Sequence, residues 1–582
     1  MKLEEIIQVL DHIAILLEIK GENAFKIRAY QNGARILENI DQDLGTLISQ
    51  NQLQRIEGMG TALVDKITTL WHDKPLTFYE NLKETVPSEL LELLEIPSLG
   101  GKKIHRLHRE LGVNNISDLK TVCQNGQLAA LKGFGSKTAK NLLSGINFYK
   151  SYNARHLWWT VTPIVEEIIQ GLRKIPEVQC VEVAGSFRRK KETVGDLDFI
   201  VASEKPDPVI KWFTNLQSVQ KVTAKGYTKS SIRLEGGLQA DLRIVPKQQF
   251  ATALHHFTGS KEHNVQMRQR ALAQGLSLSE WGIFPKDQPE ASRKSLPVKD
   301  EETLFKTLGL PWINPELREG NFEIALAESQ GIPQLLEPED IKGVFHNHTR
   351  ASDGKNTLTE MVVAAQSHGW QYLGISDHSR SSVQARGLDE ERLLKQIENI
   401  QAINQSKNYS CWIFSGSEVD ILPDGRLDYP DELLQKLDYT VASVHSAFKQ
   451  DKEQMTRRII KAIENPFVTM IGHLTGRILL KREPYALNIE KVIDAAAANH
   501  TIIEINAHPK RLDMDWRYWI KAREKGIITS INPDAHDTKG LSLFRAGVDT
   551  ARKAAIPPEK VLNTQSIEVV GKMLQLKRGK FV

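Results

Sequence analysis

Residues 184–200 read Ala-Gly-Ser-Phe-Arg-Arg-Lys-Lys-Glu-Thr-Val-Gly-Asp-Leu-Asp-Phe-Ile. The apolar run Val181 to Ala184 leads into this stretch and predicts a strand. The alternating run Asp196-Leu197-Asp198-Phe199-Ile200-Val201 predicts a second. Residues two apart on a strand share a face, so Asp196 and Asp198 project together. Paired acids repel, and a divalent metal is the usual remedy. Gly185-Ser186, at a strand-to-helix turn, offers backbone N–H groups and a hydroxyl to a phosphate. Arg188, Arg189, Lys190 and Lys191 add positive charge. A phosphate cradle beside metal-binding carboxylates points to metal-assisted phosphoryl transfer involving a nucleotide. The competing reading is an exposed basic turn next to a salt-bridged strand.

Downstream, Gly237 to Val245 reads as a further strand in which Asp241 interrupts an apolar run. A lone acid in a buried strand is costly unless paired or metal-bound. With Asp196 and Asp198 it makes a three-carboxylate set, enough to hold two metals about 4 Å apart. His255-His256-Phe257-Thr258-Gly259-Ser260-Lys261-Glu262-His263-Asn264 then opens a helix. Its histidines read as substrate-pocket residues, because no carboxylate is spaced to share a metal with them.

Upstream, residues 1 to about 150 look all-helical, and a short pattern recurs. Ile56-Glu57-Gly58-Met59-Gly60-Thr61, Ile96-Pro97-Ser98-Leu99-Gly100-Gly101 and Leu131-Lys132-Gly133-Phe134-Gly135-Ser136 each place an apolar residue and a tight turn before a helix. Glycines let the backbone approach a phosphate, and the helix N-terminus supplies N–H donors. The pattern resembles the helix-hairpin-helix module, which implies sequence-independent DNA contacts at Gly58, Gly60, Gly100, Gly133 and Gly135. Ser98 stands at the first glycine position of the middle copy. Ile96 to Lys150 holds nine Lys/Arg against two Asp/Glu, a local excess suited to a polyanion.

The chain has 582 residues and a net charge of +4, so several domains are expected and bulk charge does not choose a partner. Three dispersed cysteines argue against a disulfide framework and for a reducing compartment. The N-terminus, Met-Lys-Leu-Glu-Glu-Ile-Ile, starts an amphipathic helix and is not a signal peptide, and no apolar run is long enough for a membrane span. A cytoplasmic monomer with no membrane partner is the expectation.

Taken together, Gly-Ser-Phe-Arg-Arg, Gly-Asp-Leu-Asp, Ala-Asp-Leu-Arg, His-Phe-Thr-Gly-Ser and Pro-Trp-Ile-Asn-Pro-Glu-Leu-Arg-Glu (311–319) resemble a bacterial-type family X DNA polymerase over the first 325 residues or so. The resemblance implies gap filling in DNA repair, with gapped or primer-template DNA and deoxynucleoside triphosphates as partners and Mg²⁺ or Mn²⁺ as cofactor. It assigns Asp196, Asp198 and Asp241 as catalytic metal ligands, Asp241 taking the primer-hydroxyl proton. Gly185, Ser186, Arg189 and Gly195, with Arg155 added, would bind the triphosphate. Phe257 and Gly259 would face the sugar, with His256 where the polymerase beta enzyme has tyrosine. Asn264 and Arg268 would face the minor groove. Gly-Glu-Asn-Ala-Phe-Lys at 21–26 and the run 58–66 resemble the lyase region of polymerase beta, where a lysine at the position of Lys66 forms a Schiff base with an abasic-site sugar.

From Ile341 the pattern changes to apolar strands alternating with helices, and the strands end in His346 and His348, Asp377 and His378, Glu418, His445, His473, Glu504 and Asn506, and Asp534 and His536. Seven strands with functional ends imply a parallel TIM-like barrel with its site on the C-terminal rim. The constellation resembles the polymerase and histidinol phosphatase (PHP) domain. Its ligand set maps onto His346, His348, Asp353, His378, Glu418, His445, His473, Asp534 and His536, enough for about three divalent metals, with Mn²⁺, Zn²⁺ or Fe²⁺ all compatible. His508 reads as a surface histidine.

The domain expectation is a helical lyase-like region over 1–85, helical DNA-binding fingers over 86–150 and a nucleotidyltransferase palm over 151–250. A thumb-like subdomain follows over 251–325, then a linker over 326–340 and the barrel over 341–582. The barrel is expected to act as a 3′→5′ exonuclease, with abasic endonuclease or 3′-phosphatase activity as further possibilities. The rival readings are a DNA-tethered small-molecule phosphatase and a repair scaffold with an inactive polymerase.

Overall fold

Residues 3–38, 44–56, 58–96, 99–131, 133–152, 155–286, 294–329 and 331–578 are described by a computed structural model of the chain. Of the ranges named above, residues 1–2, 39–43, Glu57, Pro97, Ser98, Lys132, residues 153–154, 287–293, Gln330 and residues 579–582 lie outside them. The chain divides into two units, Met1–Asn153 and Ala154–Val582.

The first unit is all-helical. Helix Leu3–Lys20 buries Ile6, Leu10, Ile13 and Leu17, three or four residues apart, against helices Ala24–Glu38 and Gly101–Leu111. Helix Gly101–Leu111 buries Ile104 and Leu107, carries Lys102, Lys103, Arg106 and Arg109 on its other faces, and stops at Gly112 in the left-handed region. The recurring motif takes one form three times. Met59, Leu99 and Phe134, all buried, donate their N–H groups to the carbonyls of Ile56, Ile96 and Leu131, and a helix follows.

The second unit begins with a five-stranded mixed sheet. Its strands are β1 (Cys180–Val183), β2 (Asp196–Ala202), β3 (Val219–Lys225), β4 (Lys229–Leu234) and β5 (Gln239–Val245), in the order β1-β2-β5-β4-β3. Only β2 and β5 run parallel, and their register places Asp198 opposite Asp241. Leu197, Phe199 and Val201 alternate with Ala240, Leu242 and Ile244 on the face covered by helices Trp158–Arg173 and Pro206–Thr214. The acids therefore share the opposite face, where Ile200 and Val245 pack on helix Phe250–Thr258. Helices Lys261–Ala273 and Glu301–Thr307 and a hairpin over 276–285 continue that side.

The remainder is a barrel of seven parallel strands in sequence order: β6 (Gly343–Asn347), β7 (Tyr372–Ile375), β8 (Trp412–Asp420), β9 (Tyr439–Ser443), β10 (Met470–Ile471), β11 (Ile502–Asn506) and β12 (Thr529–Asn532). A parallel bridge between Asn347 and Ala535 brings the last strand back to the first, giving a TIM-like barrel. One end is plugged by Phe345, Tyr372, Phe414 and Tyr439, closed over by Leu562, Val570 and Leu574 of the C-terminal segment. Tyr439 needs glycine on neighbouring strands: a Cβ at Gly416 would lie 2.4 Å from its ring. Within the expected linker, Leu335 packs in the core of the preceding subdomain and Leu336 in that of the barrel.

The aromatic plug leaves no room for the barrel to collapse around a missing ring. Phe345→Ala is expected to cost about 3–5 kcal/mol and to lower the melting temperature of the transition that exposes the barrel tryptophans, followed by fluorescence.

Candidate active sites

In the palm, the turn after β1 forms the short helix Gly185–Arg188. Gly185 lies at φ +63°, and a Cβ there would meet Asp198 Oδ2 at 2.4 Å, so the phosphate-type turn and the carboxylate are in direct apposition. Burial first, then Asp196 and Asp241, push the Asp198 carboxyl up to about 7. Asp241 is held by Lys229 Nζ at 2.9 Å and by Gln239, whose side-chain amide donates at 3.1 Å. Arg243 stacks over Phe257 at 4.1 Å, on the same side of β5 as Asp241. Asn264 donates to the His256 carbonyl at 2.7 Å, and the His256 ring lies 3.7 Å from Glu280. Arg155 donates to Thr193, Gly195 joins the short strand Thr193–Val194 to β2, and Arg268 is exposed. The sequence-predicted palm residues Gly185, Asp196, Asp198, Asp241, Phe257 and Gly259 are thus gathered on one side of the sheet.

The basic run behaves differently from a free phosphate clamp. Arg188 pairs with Glu301 at 2.7 Å and Arg189 with Glu319 at 3.2 Å, and Arg189 Nη1 also donates to the Thr258 carbonyl. Lys190 pairs with Asp549 at 3.3 Å and Lys191 with Glu319 at 3.6 Å. Sequence reasoning missed Lys229, Arg243, Glu301 and Glu319. Arg243 and Glu319 close two of the motifs quoted above, but what each of the four meets, Asp241, Phe257, Arg188 and Arg189 respectively, depends on tertiary closure.

At the barrel rim the geometry is tighter. One ligand atom from each member converges within 4.8 Å in four groups: His348, Asp353, His378 and His536; His346, Glu418 and His473; His346, His348 and Asp534; His378, Glu418 and His445. Among the described residues the three palm carboxylates do not form such a group. All nine residues expected from the sequence are therefore brought together. Glu418 is the hub, with His473 at 2.9 Å, His378 at 3.0 Å, His445 at 3.1 Å and His346 at 3.3 Å. Asp534 reaches His348 at 3.3 Å, and Asp353 reaches His536 at 3.3 Å.

Two residues outside the expected set orient it. Glu504 holds His346 Nδ1 at 2.5 Å, and Asp420 holds His445 Nδ1 at 2.5 Å. Both carried a signal. Asp420 follows Glu418 by two residues on one strand, and Glu504 is a buried acid in an apolar run, as Asp241 is. His508 is partly buried and faces Asp534 and His536 closely enough to feel their charge, rather than lying on an indifferent surface.

The donor set fits divalent metals. His346 Nε2, both ring nitrogens of His348, His378 Nδ1 and His473 Nδ1 are buried without a hydrogen-bond partner. Imidazole and carboxylate together suit first-row transition metals. Without cations the acids draw protons instead. Burial pulls His445 down, but Glu418 and Asp420 outweigh it and raise it to about 10. Burial likewise opposes the rise of His536, which Asp353 and Asp534 lift to about 9.

In the first unit, Gly60 and Gly100 are helix N-caps without side-chain caps, and a Cβ at Gly60, Gly100 or Gly135 would meet nothing within 4 Å. Gly58 and Gly133 lie at φ near +90°. Lys66 Nζ donates to the carbonyl of Ala62 at 3.0 Å and lies over the Phe78 ring, and Phe25 is 78% exposed.

His445 and His536 contribute stability to the chelated protein that is lost above neutral pH, whereas His348, lowered to about 4 by burial and then by His536 and His378, acts in the opposite direction on the acid side. A folded-state pKa above the unfolded value stabilises fully below about pH 6.5 and progressively less as pH rises toward 9–10. Metal removal should therefore lower the melting temperature little near pH 6 and increasingly between pH 7 and 10, measured by calorimetry with and without chelator.

Family models match along the chain: a helix-hairpin-helix domain over residues 1–74, a SAM-like helix-hairpin-helix tandem over 90–147, the DNA polymerase beta thumb over 253–319 and the PHP domain over 345–508. The DNA polymerase/3′-5′ exonuclease PolX of Bacillus subtilis (strain 168) is 37% identical over 578 residues, spanning 99% of this chain and 100% of that protein. A probable phosphatase of Thermoanaerobacter sp. (strain X514) is 32% identical over 247 residues, 40% of this chain and 94% of that protein. The solved ternary P/T complex of Leishmania infantum polymerase beta covers 40% of this chain and 98% of its own at 20% identity, with a TM-score of 0.27, too loose a likeness to bear on the fold. Full-length similarity to PolX, with the helix-hairpin-helix, thumb and PHP matches in the same order, means that the chain belongs to the bacterial family X DNA polymerases that carry a C-terminal PHP domain.

Proposed function

We propose that this chain fills short gaps in DNA during repair and trims 3′ ends, using two separate sites. The observation that carries the synthetic half is the pairing of Asp198 with Asp241 in register on parallel strands, against a glycine turn. In this reading Asp196, Asp198 and Asp241 hold the cations, Mg²⁺ or Mn²⁺, that supply Lewis acidity to the triphosphate and the primer hydroxyl. Asp241 accepts the hydroxyl proton, and Lys229, 2.9 Å away, orients its carboxylate. Gly185, Ser186 and Gly195 present hydroxyl and backbone donors to the triphosphate. Arg189 offers the Nη2 that its bonds to Glu319 and Thr258 do not use, with Arg155 beside it. Phe257, Gly259 and His256 border the sugar. Asn264 and Arg268 face the minor groove. The uncapped N-termini at Gly60, Gly100 and Gly135 and the turns at Gly58 and Gly133 hold the DNA backbone.

For the barrel, the nine rim residues would hold about three divalent metals, whose Lewis acidity would activate a water and stabilise a departing 3′ oxygen. Glu418 keeps four imidazoles turned to one centre, and Glu504 and Asp420 fix the tautomers of His346 and His445. Arg511, 3.7 Å from Asp534, places a positive charge where a phosphodiester would lie. The 3′→5′ exonuclease named in the Bacillus relative is the favoured activity. The similarity to probable phosphatases supports 3′-phosphatase or abasic endonuclease activity at the same rim. The helical unit adds a lyase step if Lys66, released from Ala62, attacks an abasic sugar.

Gap filling and primer degradation, measured with Mg²⁺ or Mn²⁺, separate the two sites. Asp241→Ala should abolish synthesis by at least about a thousandfold and leave degradation, and His348→Ala should do the reverse. Loss of both activities in each variant would defeat the two-site assignment. Borohydride trapping on abasic DNA should give a cross-link that Lys66→Ala removes, and a trap that survives the substitution would exclude Lys66 as the nucleophile.

A further inference from the structure

Five consecutive residues after the glycine turn, Arg188 to Glu192, are each tied to a distant element. Arg188 and Arg189 go to Glu301 and Glu319 on the thumb side. The next three reach the barrel or what the barrel holds. Lys190 pairs with Asp549, Lys191 lies 6.0 Å over Trp516 and 3.6 Å from Glu319, and Glu192 accepts from Arg477 at 3.0 Å.

At the middle of this junction is Lys553, the last residue of the barrel helix Phe544–Lys553. Its side chain is 2% exposed. Its Nζ donates to Glu319 Oε1 at 2.6 Å, to the Arg189 carbonyl at 3.0 Å and to the Glu316 carbonyl at 3.1 Å, and it lies over Trp516 at 4.8 Å. Three acceptors exhaust the three donors of an ammonium group. One of them is the main chain of Arg189, and another is the carboxylate that holds the Arg189 guanidinium.

We infer that Lys553 is a positioning residue for synthesis: through Glu319 and the Arg189 carbonyl, the barrel sets the aim of Arg189 at the incoming triphosphate. This deepens the proposed function and rests on the assignment of Arg189 to the triphosphate. Glu319 faces three cations, Arg189, Lys191 and Lys553, of which Lys553 is the most buried and the closest. Burial pulls the Lys553 amine down to about 8, opposed by Glu319, so it remains mostly charged at neutral pH. Removing the ammonium leaves the Arg189 and Glu316 carbonyls without a donor inside a closed junction, and such groups move to find new partners. The turn that moves is the one bearing Gly185, Ser186 and Arg189. The barrel metal ligands are not in contact with Lys553 and keep their geometry.

The test uses the full-length protein, gapped DNA and a single deoxynucleoside triphosphate, with primer degradation as the internal control. Lys553→Met is expected to raise the KM for the nucleotide about tenfold, with kcat and the degradation rate each within about twofold of wild type. Glu319→Gln should do much the same. The double variant should be no more than about twofold worse than the worse single one, because both act through one link. An unchanged KM in Lys553→Met, with or without a lower kcat, or additive effects in the double variant, would overturn the inference. Should Lys553→Met lose degradation as well, Glu319→Gln, which cuts the same link from the polymerase side, decides the question by the same KM criterion. A wild-type protein that does not extend primers would instead remove the proposed function on which the inference rests.

Discussion

Asp198 and Asp241 stand opposite each other on adjacent parallel strands, and much of the second unit is arranged around that pair. A slip of one residue in either strand would turn its acid into the apolar layer under helices Trp158–Arg173 and Pro206–Thr214. The register is held because Leu197, Phe199, Val201, Ala240, Leu242 and Ile244 fill that layer completely. The same pairing forces the preceding turn to carry glycine, since any side chain at Gly185 would strike Asp198. The lysine at 229 and the arginine at 243 then supply charge on the side where the acids accumulate.

The barrel meets a similar constraint with different chemistry. Its rim buries Glu418, Glu504, Asp534 and Asp420, more negative charge than any lysine or arginine among the described residues contacts at close range except Arg511. Imidazoles do the compensating, and an imidazole is neutral or cationic according to what it binds. The palm has only carboxylates at its centre and suits a hard, oxygen-preferring cation such as Mg²⁺. The rim mixes nitrogen and oxygen donors and suits transition metals.

Much of both sites was legible in the sequence, because strand periodicity and strand-end position are local properties. Asp196 and Asp198 announce a shared face by their spacing, Asp241 by being an acid in a buried run, and eight of the nine rim residues by ending successive apolar strands; Asp353 lies in a loop and is added only by the PHP resemblance. Asp420 and Glu504 obey the same two signals but lie outside the family pattern that the rim resembles, so they were not counted with the ligands. Gly58 and Gly133 were legible for a similar reason, since a left-handed turn residue favours glycine. What sequence could not show was the destination of Arg188, Arg189, Lys190 and Lys191. A run of basic residues next to a phosphate-type turn reads as a phosphate clamp, yet which carboxylate each one meets depends on tertiary closure.

That closure bears on how the turn can work. Free side chains of Arg188, Lys190 and Lys191 would bring strong positive potential to a triphosphate, but their flexibility would have to be lost at each binding event. Tied to Glu301, Asp549 and Glu319, they lose it on folding, and the turn meets its ligand already ordered. The cost is that part of the positive field is neutralised before the nucleotide arrives. Under the proposed function, what remains for the phosphates is a small, fixed set: the backbone N–H groups after Gly185, the Ser186 hydroxyl and the unengaged edge of Arg189. Fixed dipoles at the right distance stabilise a developing charge better than mobile charges that must first be gathered. A fixed edge is useful only if the residues holding it are themselves fixed, which is why the rigidity of a helix belonging to another catalytic domain matters to this one.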